Sequence, residues 1–313
     1  MLGSRHTVHA DRLHHGWDNS QPPVLTVAPG EVVELEVSDA SGGRVTPGTT
    51  LATMVPGDPD RINPLTGPVF VDGAEPGDAL KVTLLEFAPS GWGWTMASPR
   101  IGLLADQFTE RELHIWHYDP SAAVPAAFGS FARVPLKPFA GTIGVAPAAL
   151  GQHSVLPPRR VGGNMDLRDA AAGAELYLPI EVAGALFSIG DAHAAQGDGE
   201  VCGTAIESPM HVVVRFDLVK RAGLRFPRLT VPGPVTRHLD AKGYEITTGI
   251  GPDLMQCARD AVSGMVDLLA AIHGMRPVDA YMLCSVCADL RISEIVDRPN
   301  WVVGLYMPRI VFD

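Results

Sequence analysis

Glycine and proline punctuate this chain so often that long helices have little room. Its 313 residues include 33 glycines and 27 prolines. Proline fixes φ and removes a backbone donor, and glycine favours turns, so such a chain breaks into short strands joined by turns. Residues 32–37 alternate apolar positions with Glu34 and Glu36, the pattern of a strand with one wet face. Residues 24–27 precede them across an Ala28-Pro29-Gly30-Glu31 turn, and residues 67–71 and 79–85 repeat the arrangement. Residues 141–147, 174–190, 210–218 and 301–306 read as further strands. Residues 90–130, with Trp92, Trp94, Phe108 and Trp116, read as irregular and aromatic. One long helix is predicted: Pro252-Asp253 opens it, apolar residues at i, i+3, i+4 spacing run from Leu254 to Ile272, and Gly274 closes it. A second helix starts near Pro277 and is expected to run to about Leu290. The expected architecture is mostly β, sandwich- or barrel-like, with an α+β portion near the C-terminus. It divides into a β-rich unit over 1–155 and a unit over 156–313 that carries the site loops and both helices. Regular βαβ alternation is absent, which argues against a Rossmann-type fold.

Binding a phosphate backbone needs clustered Lys and Arg, and with a net charge of −11 and only short basic pairs such as Arg159-Arg160 and Lys220-Arg221, nucleic acid is not an expected partner. No apolar run reaches the roughly 18 residues of a membrane helix. Residues 1–7 show no apolar leader segment, and the expected setting is cytoplasmic. An acidic, apolar-rich chain of this size suits a homodimer or higher homo-oligomer. Cys284-Ser285-Val286-Cys287 has CxxC spacing, but no second ligand pair accompanies it. These cysteines read as buried thiols packing as small hydrophobes.

Chemistry concentrates in Gly190-Asp191-Ala192-His193-Ala194-Ala195-Gln196-Gly197-Asp198-Gly199-Glu200, which directly follows a hydrophobic, strand-like run. If the strand continues, Asp191 and His193 share one face, and Asp198 and Glu200 repeat the spacing. A carboxylate with a neutral imidazole suits a divalent ion such as zinc, and a neighbouring acid is then placed to act as general base. Asp and Gly are also ordinary turn formers. What favours a site here is the density of polar groups straight after a buried-type strand. Gly162-Gly163-Asn164-Met165-Asp166 is a second candidate, fitting an Asx-type turn or supplying Asp166 as a third ligand beside Asp191 and His193. In His14-His15-Gly16-Trp17-Asp18-Asn19 the adjacent histidines point to opposite sides, so at most one serves a site. The chain has no GxSxG elbow, no P-loop and no GxGxxG after a strand.

Residues 17–24, residues 162–166 and the GDAHxxxGDGE stretch running on to Ala205 together resemble the acetamidase/formamidase family, in both order and spacing. Residues 39–43 and 66–74 resemble further family segments, so the similarity covers nearly the whole chain. The resemblance implies a β-rich sandwich-like fold, a bound divalent metal near these segments, and hydrolysis of short amides to a carboxylic acid and ammonia. It carries over to Asn164, Asp166, Asp191, His193, Asp198 and Glu200.

Within that set, roles are assigned by chemistry. Asp166, Asp191 and His193 are the expected ligands of a zinc-type ion, with calcium as the alternative metal. Glu200 is the expected general base, with Asp198 as the other catalytic carboxylate and the candidate for that role should Glu200 be a ligand. Asn164 and His15 are expected to orient the amide, and Trp92 with Trp94 to restrict the pocket. The expected substrate is a small aliphatic amide. Opening of a γ-lactam at the same site, and a non-catalytic calcium-binding sandwich, are the alternatives.

Overall fold

The computed structural model describes residues 5–54 and 61–313, and residues 1–4 of the N-terminal segment read above lie outside the described residues. Two six-stranded sheets dominate it, as a mostly β architecture requires. The first orders Arg5–Val8, Val32–Val37, Met210–Val219, Ala79–Pro89, Glu175–Pro179 and Arg228–Thr230. The second orders Gly162–Asn164, Phe139–Gly144, Phe187–His193, Leu65–Val71 and Leu13–His14, with Leu25–Val27 pairing parallel to Leu65–Val71. Both sheets take strands from either side of residue 155.

Alternation decides which side chains meet between the sheets. Val33, Leu35 and Val37 are buried, while Glu34 and Glu36 stay partly exposed on the other face. The inward residues join Leu80, Val82, Val212 and Phe216 of the first sheet with Val69, Ile143, Phe187 and Ile189 of the second in one apolar layer. Two sheets sharing a core face to face form a sandwich. Each fully buried aliphatic or Phe side chain contributes roughly 1.5–3 kcal/mol.

A second core lies under the C-terminal helices. Asp253 caps the helix Leu254–His273, its carboxylate accepting the Gln256 N–H at 2.8 Å. Gly274 closes it in the left-handed conformation. Cys257, Ala261, Val262, Met265 and Leu269 form the buried face. This helix packs on a three-stranded sheet of order Tyr244–Gly251, Trp301–Pro308, Asp289–Glu294. The next helix, Pro277–Cys287, stops short of the expected Leu290. Asp289 instead opens a strand, held by pairing with Tyr306 and by a buried ion pair with Arg168 at 2.5 Å. Cys284 and Cys287 are buried on this helix, and burial pushes both thiols up, so they pack as neutral side chains.

Residues 90–130 are more regular than their sequence suggests. Trp92–Ala97 pairs antiparallel with Glu112–His117, and Ala126–Phe128 with Ala132–Val134. Glycines at 91 and 93 obscure the strand period, whereas tertiary partners supply the order. Trp116, fully buried, donates its Nε1–H to Thr95 Oγ1 at 2.9 Å. Among the described residues no helix is long and apolar enough to cross a membrane.

The Tyr281 hydroxyl ties the helix Pro277–Cys287 to the loops around it. It donates to Val201 O at 2.5 Å and accepts the Leu104 N–H at 2.8 Å. Tyr281→Phe strands the buried Leu104 N–H, while Val201 O keeps the Leu103 N–H at 2.8 Å, and is expected to lower the unfolding free energy by about 1–3 kcal/mol. A wild-type urea midpoint in that variant would contradict this assignment.

Candidate metal centre and active site

The strand Phe187–His193 lies inside the second sheet, between Phe139–Gly144 and Leu65–Val71, and every residue in it is buried. Its last residues, Asp191 and His193, are therefore delivered to an interior position. Beyond them the chain pairs with residues 206–208: Ala194 N donates to Ile206 O at 2.8 Å, and Ser208 N to Ala192 O at 2.7 Å. That register sets Glu207 opposite His193. Glu207 also exchanges two 2.9 Å backbone bonds with Trp94. Gly162–Asn164 pairs with Phe139–Gly144, and the N–H groups of Met165 and Asp166 both reach Gly141 O, which brings Asp166 alongside. The turn Gly197–Glu200 folds Glu200 back over the group. A Cβ at Gly197 would lie 2.0 Å from Ala288 O, so only glycine lets this turn rest against the end of the second helix.

Five side chains converge. One ligand atom each from Asp166, Asp191 and His193 lies within 4.8 Å of the others, and the same holds for His193, Glu200 and Glu207. His193 Nε2 is 3.3 Å from both Asp191 Oδ1 and Glu207 Oε2, yet makes no aligned hydrogen bond with either. Asp166 Oδ1 is likewise buried without a hydrogen-bond partner. The donor atoms thus gather around shared space, the arrangement of co-ligands. A Cβ at residue 141 would fall 2.4 Å from Asp166 Oδ1, 2.6 Å from His193 Cε1 and 2.9 Å from Asp191 Oδ2. Glycine at 141 keeps that space open. Asp166, Asp191 and His193 fit a divalent ion.

A second layer of contacts fixes the acids. Asn63 Nδ2 donates to Asp191 Oδ2 at 2.9 Å and to Asn164 Oδ1 at 3.2 Å, and Thr142 Oγ1 donates to Asn164 Oδ1 at 2.6 Å. Glu207 Oε1 accepts the Ala205 N–H at 3.0 Å. Asp166, Asp191 and Glu200 have φ of 48°, 56° and 43°, in the left-handed region. Each such residue costs of order 1–3 kcal/mol and is a feature that clusters at functional sites.

The cluster is electrostatically overloaded. Burial, reinforced by the Asp191 charge, pushes Asp166 up to about 7. Burial and then Asp166 raise Glu200 well above the usual carboxylate range, and burial raises Glu207. For His193, burial favours the neutral ring, but the carboxylates of Glu207 and Asp191 outweigh it and hold the imidazole well above its ordinary value. The group therefore retains protons that a bound cation would displace.

The acids open onto a cavity of about 270 Å³. Asp191, Asn164, Asn63, Glu200 and Glu207 supply its acids and amides, Val45, Trp94, Met96, Ile101 and Leu156 line much of the remainder, and Ser41, Arg44 and Thr204 add polar groups. Of the residues expected from sequence, Asp166, Asp191, His193 and Glu200 come together and Asn164 joins the cavity. Asp198 turns away, pairing with Arg168 Nε at 3.1 Å with its side chain 44% exposed. Trp92 is not among the cavity's lining residues; its carbonyl accepts the Ser208 hydroxyl at 2.7 Å, while Trp94 lines the wall. His15 borders a separate cleft with Asp11, Arg44 and Arg61. Glu207 and Asn63 were not foreseen. Glu207 carries one faint signal, a lone carboxylate between Ala205-Ile206 and a strand start.

Comparison with known proteins places nearly the whole chain among related sequences and folds. A formamidase from Methylophilus methylotrophus is 30% identical over 113 residues, 34% of this chain and 28% of that protein. The chain thus matches less than a third of the length of that curated relative. Over the full fold, a gamma lactamase from Delftia acidovorans superposes with a TM-score of 0.89 at 25% identity, covering 98% of this chain and 93% of that one. A predicted acetamidase/formamidase from Thermoanaerobacter tengcongensis gives a TM-score of 0.69 at 27% identity, covering 97% and 95%. The model of the Acetamidase/Formamidase family matches residues 3–154 and 148–313. The chain belongs to the acetamidase/formamidase family.

Proposed function

We propose that this protein is a metal-dependent amidohydrolase that cleaves primary aliphatic amides, the acetamide and formamide class, to the carboxylic acid and ammonia. The observation that carries the reading is the convergence of partly buried Asp166 and Glu200 with buried Asp191, His193 and Glu207, three of which line one cavity. Family membership and the formamidase relative support amide chemistry. Asp166, Asp191 and His193 are the proposed ligands, and the imidazole among them favours zinc over calcium. When bound, such an ion supplies Lewis acidity and acidifies a water molecule. Glu200 lines the cavity and takes a proton from the attacking water, then returns it to the departing nitrogen. The Asn164 side-chain oxygen is held by Thr142 and Asn63, which leaves its NH₂ group to donate to the substrate carbonyl. Glu207 braces His193 from the opposite strand. All four cysteines are free and buried, which fits a reducing compartment such as the cytoplasm.

A second reading, γ-lactam opening at the same site, is favoured by the higher TM-score to the Delftia acidovorans gamma lactamase. An ammonia-release assay with formamide, acetamide and propionamide, with and without added zinc, separates the two. Ammonia from the linear amides supports the first reading. Ring-opening of a γ-lactam without ammonia from any amide selects the second.

Two further outcomes are expected. Glu200→Gln retains metal near wild-type stoichiometry while kcat falls by about 10²–10⁴, and the acidic limb of the pH–rate profile disappears. Loss of metal in that variant would make Glu200 a ligand. Because Asp166 is pushed up to about 7 and Glu200 and Glu207 are also raised, the metal-free cluster holds protons near neutrality. Zinc uptake at pH 7 is therefore expected to release protons, and affinity to fall as pH is lowered. Calorimetry in buffers of different ionisation enthalpy reads this directly, and uptake without proton release would contradict the assignment.

A further inference from the structure

The cavity is far larger and more apolar than a two-carbon amide needs. Its acids and Asn164 gather at one end, where the amide group must lie for water to attack it. Among the described residues the rest of the wall is mainly apolar, with Val45, Ile62, Trp94, Met96, Ile101 and Leu156, and its polar members are Ser41, Arg44 and Thr204. The volume of about 270 Å³ approaches the lower bound, about 300 Å³, of pockets that hold drug-sized ligands. Acetamide would leave one methyl group facing this wall and the remaining space to water, which gains little against apolar side chains.

We infer that the acyl group this site accepts best is an unsubstituted apolar chain or ring of about five to eight carbons, the length that a pocket of this size and lining can desolvate. The inference rests on the amidohydrolase reading and extends it to the substrate. Apolar burial is made equally in the ground and transition states, so it acts on KM, not on kcat. Each added methylene is worth about fourfold in binding. Of the polar lining residues, Thr204 Oγ1 is engaged with the Met96 backbone and Ser41 Oγ accepts the Val45 N–H, so a hydroxyl on the chain finds few free partners, which selects against polar acyl groups. Among the described residues Arg44 is the one cationic side chain lining the cavity; it is exposed and donates from Nη1 to Arg61 O at 3.2 Å. A carboxylate at the far end of the chain is thus the competing chemistry.

Steady-state ammonia release from formamide through octanamide, with the adipic acid monoamide as a charged counterpart of hexanamide, tests the proposal. The expected result is a KM that falls about fourfold per methylene up to hexanamide at nearly constant kcat. The monoamide is expected to be the poorer substrate. A kcat/KM that peaks at formamide or acetamide overturns the inference and leaves the amidohydrolase reading standing. A monoamide better than hexanamide overturns it in favour of recognition by Arg44. No ammonia from any amide overturns both readings. Leu156 is 42% exposed at the cavity, so Leu156→Trp narrows the wall without disturbing a core. The hexanamide-to-acetamide ratio of kcat/KM should fall at least about tenfold in that variant. An unchanged ratio, with circular dichroism showing a native fold, would remove this wall from the acyl site.

Discussion

Four carboxylates crowded around a single buried imidazole form the constraint on which the rest of this structure depends. Burying one unpaired carboxylate is costly, and burying several together is tolerated only if protons or a cation neutralise them. Among the described residues the cavity is lined by one cationic side chain, the exposed Arg44, and the buried Arg168 is committed to Asp289 and Asp198. The backbone accepts left-handed geometry at Asp166, Asp191 and Glu200 to hold the group. Strain of this kind persists where surrounding structure over-determines it, and here the surroundings are the sandwich interior on one side and the C-terminal helices on the other.

The two cores divide the work. The sandwich layer fixes Phe187–His193 and Phe139–Gly144, and through them Asp191, His193 and Asp166. The helical core fixes the turn Gly197–Glu200, which bonds to Ser285 O and rests on Ala288. The proposed ligands therefore belong to one packed unit and the proposed base to another. Glu200 sits where the two meet.

How much of this could be read in the sequence follows from distance along the chain. Asp191 and His193 were legible because a period of two on one strand places both on one face. The helix Leu254–His273 was legible because its cap, its apolar stripe and its closing glycine are all local signals. Glu207 was not, because only the pairing of residues 206–208 with residues 192–195 brings it to His193. Trp92 and Trp94 share a face of their strand, and it is the bridge from Trp94 to Glu207 that sets which of them borders the cavity. A turn has no such period, so spacing alone did not separate Asp198, which pairs with Arg168, from Glu200, which faces the acids. Arg168 itself gave no sequence sign of being buried with Asp289.

The central claim is that the crowded acids exist to hold a divalent ion. Anomalous diffraction recorded at the zinc edge, on crystals grown from protein purified without chelator, tests it most directly. The account predicts a single strong peak in contact with Asp166, Asp191 and His193, at the roughly 2.0–2.2 Å typical of zinc to nitrogen and carboxylate oxygen. Crystals in which His193 instead makes ordinary hydrogen bonds to protonated carboxylates, or in which the peak lies at Cys284 and Cys287, would contradict it.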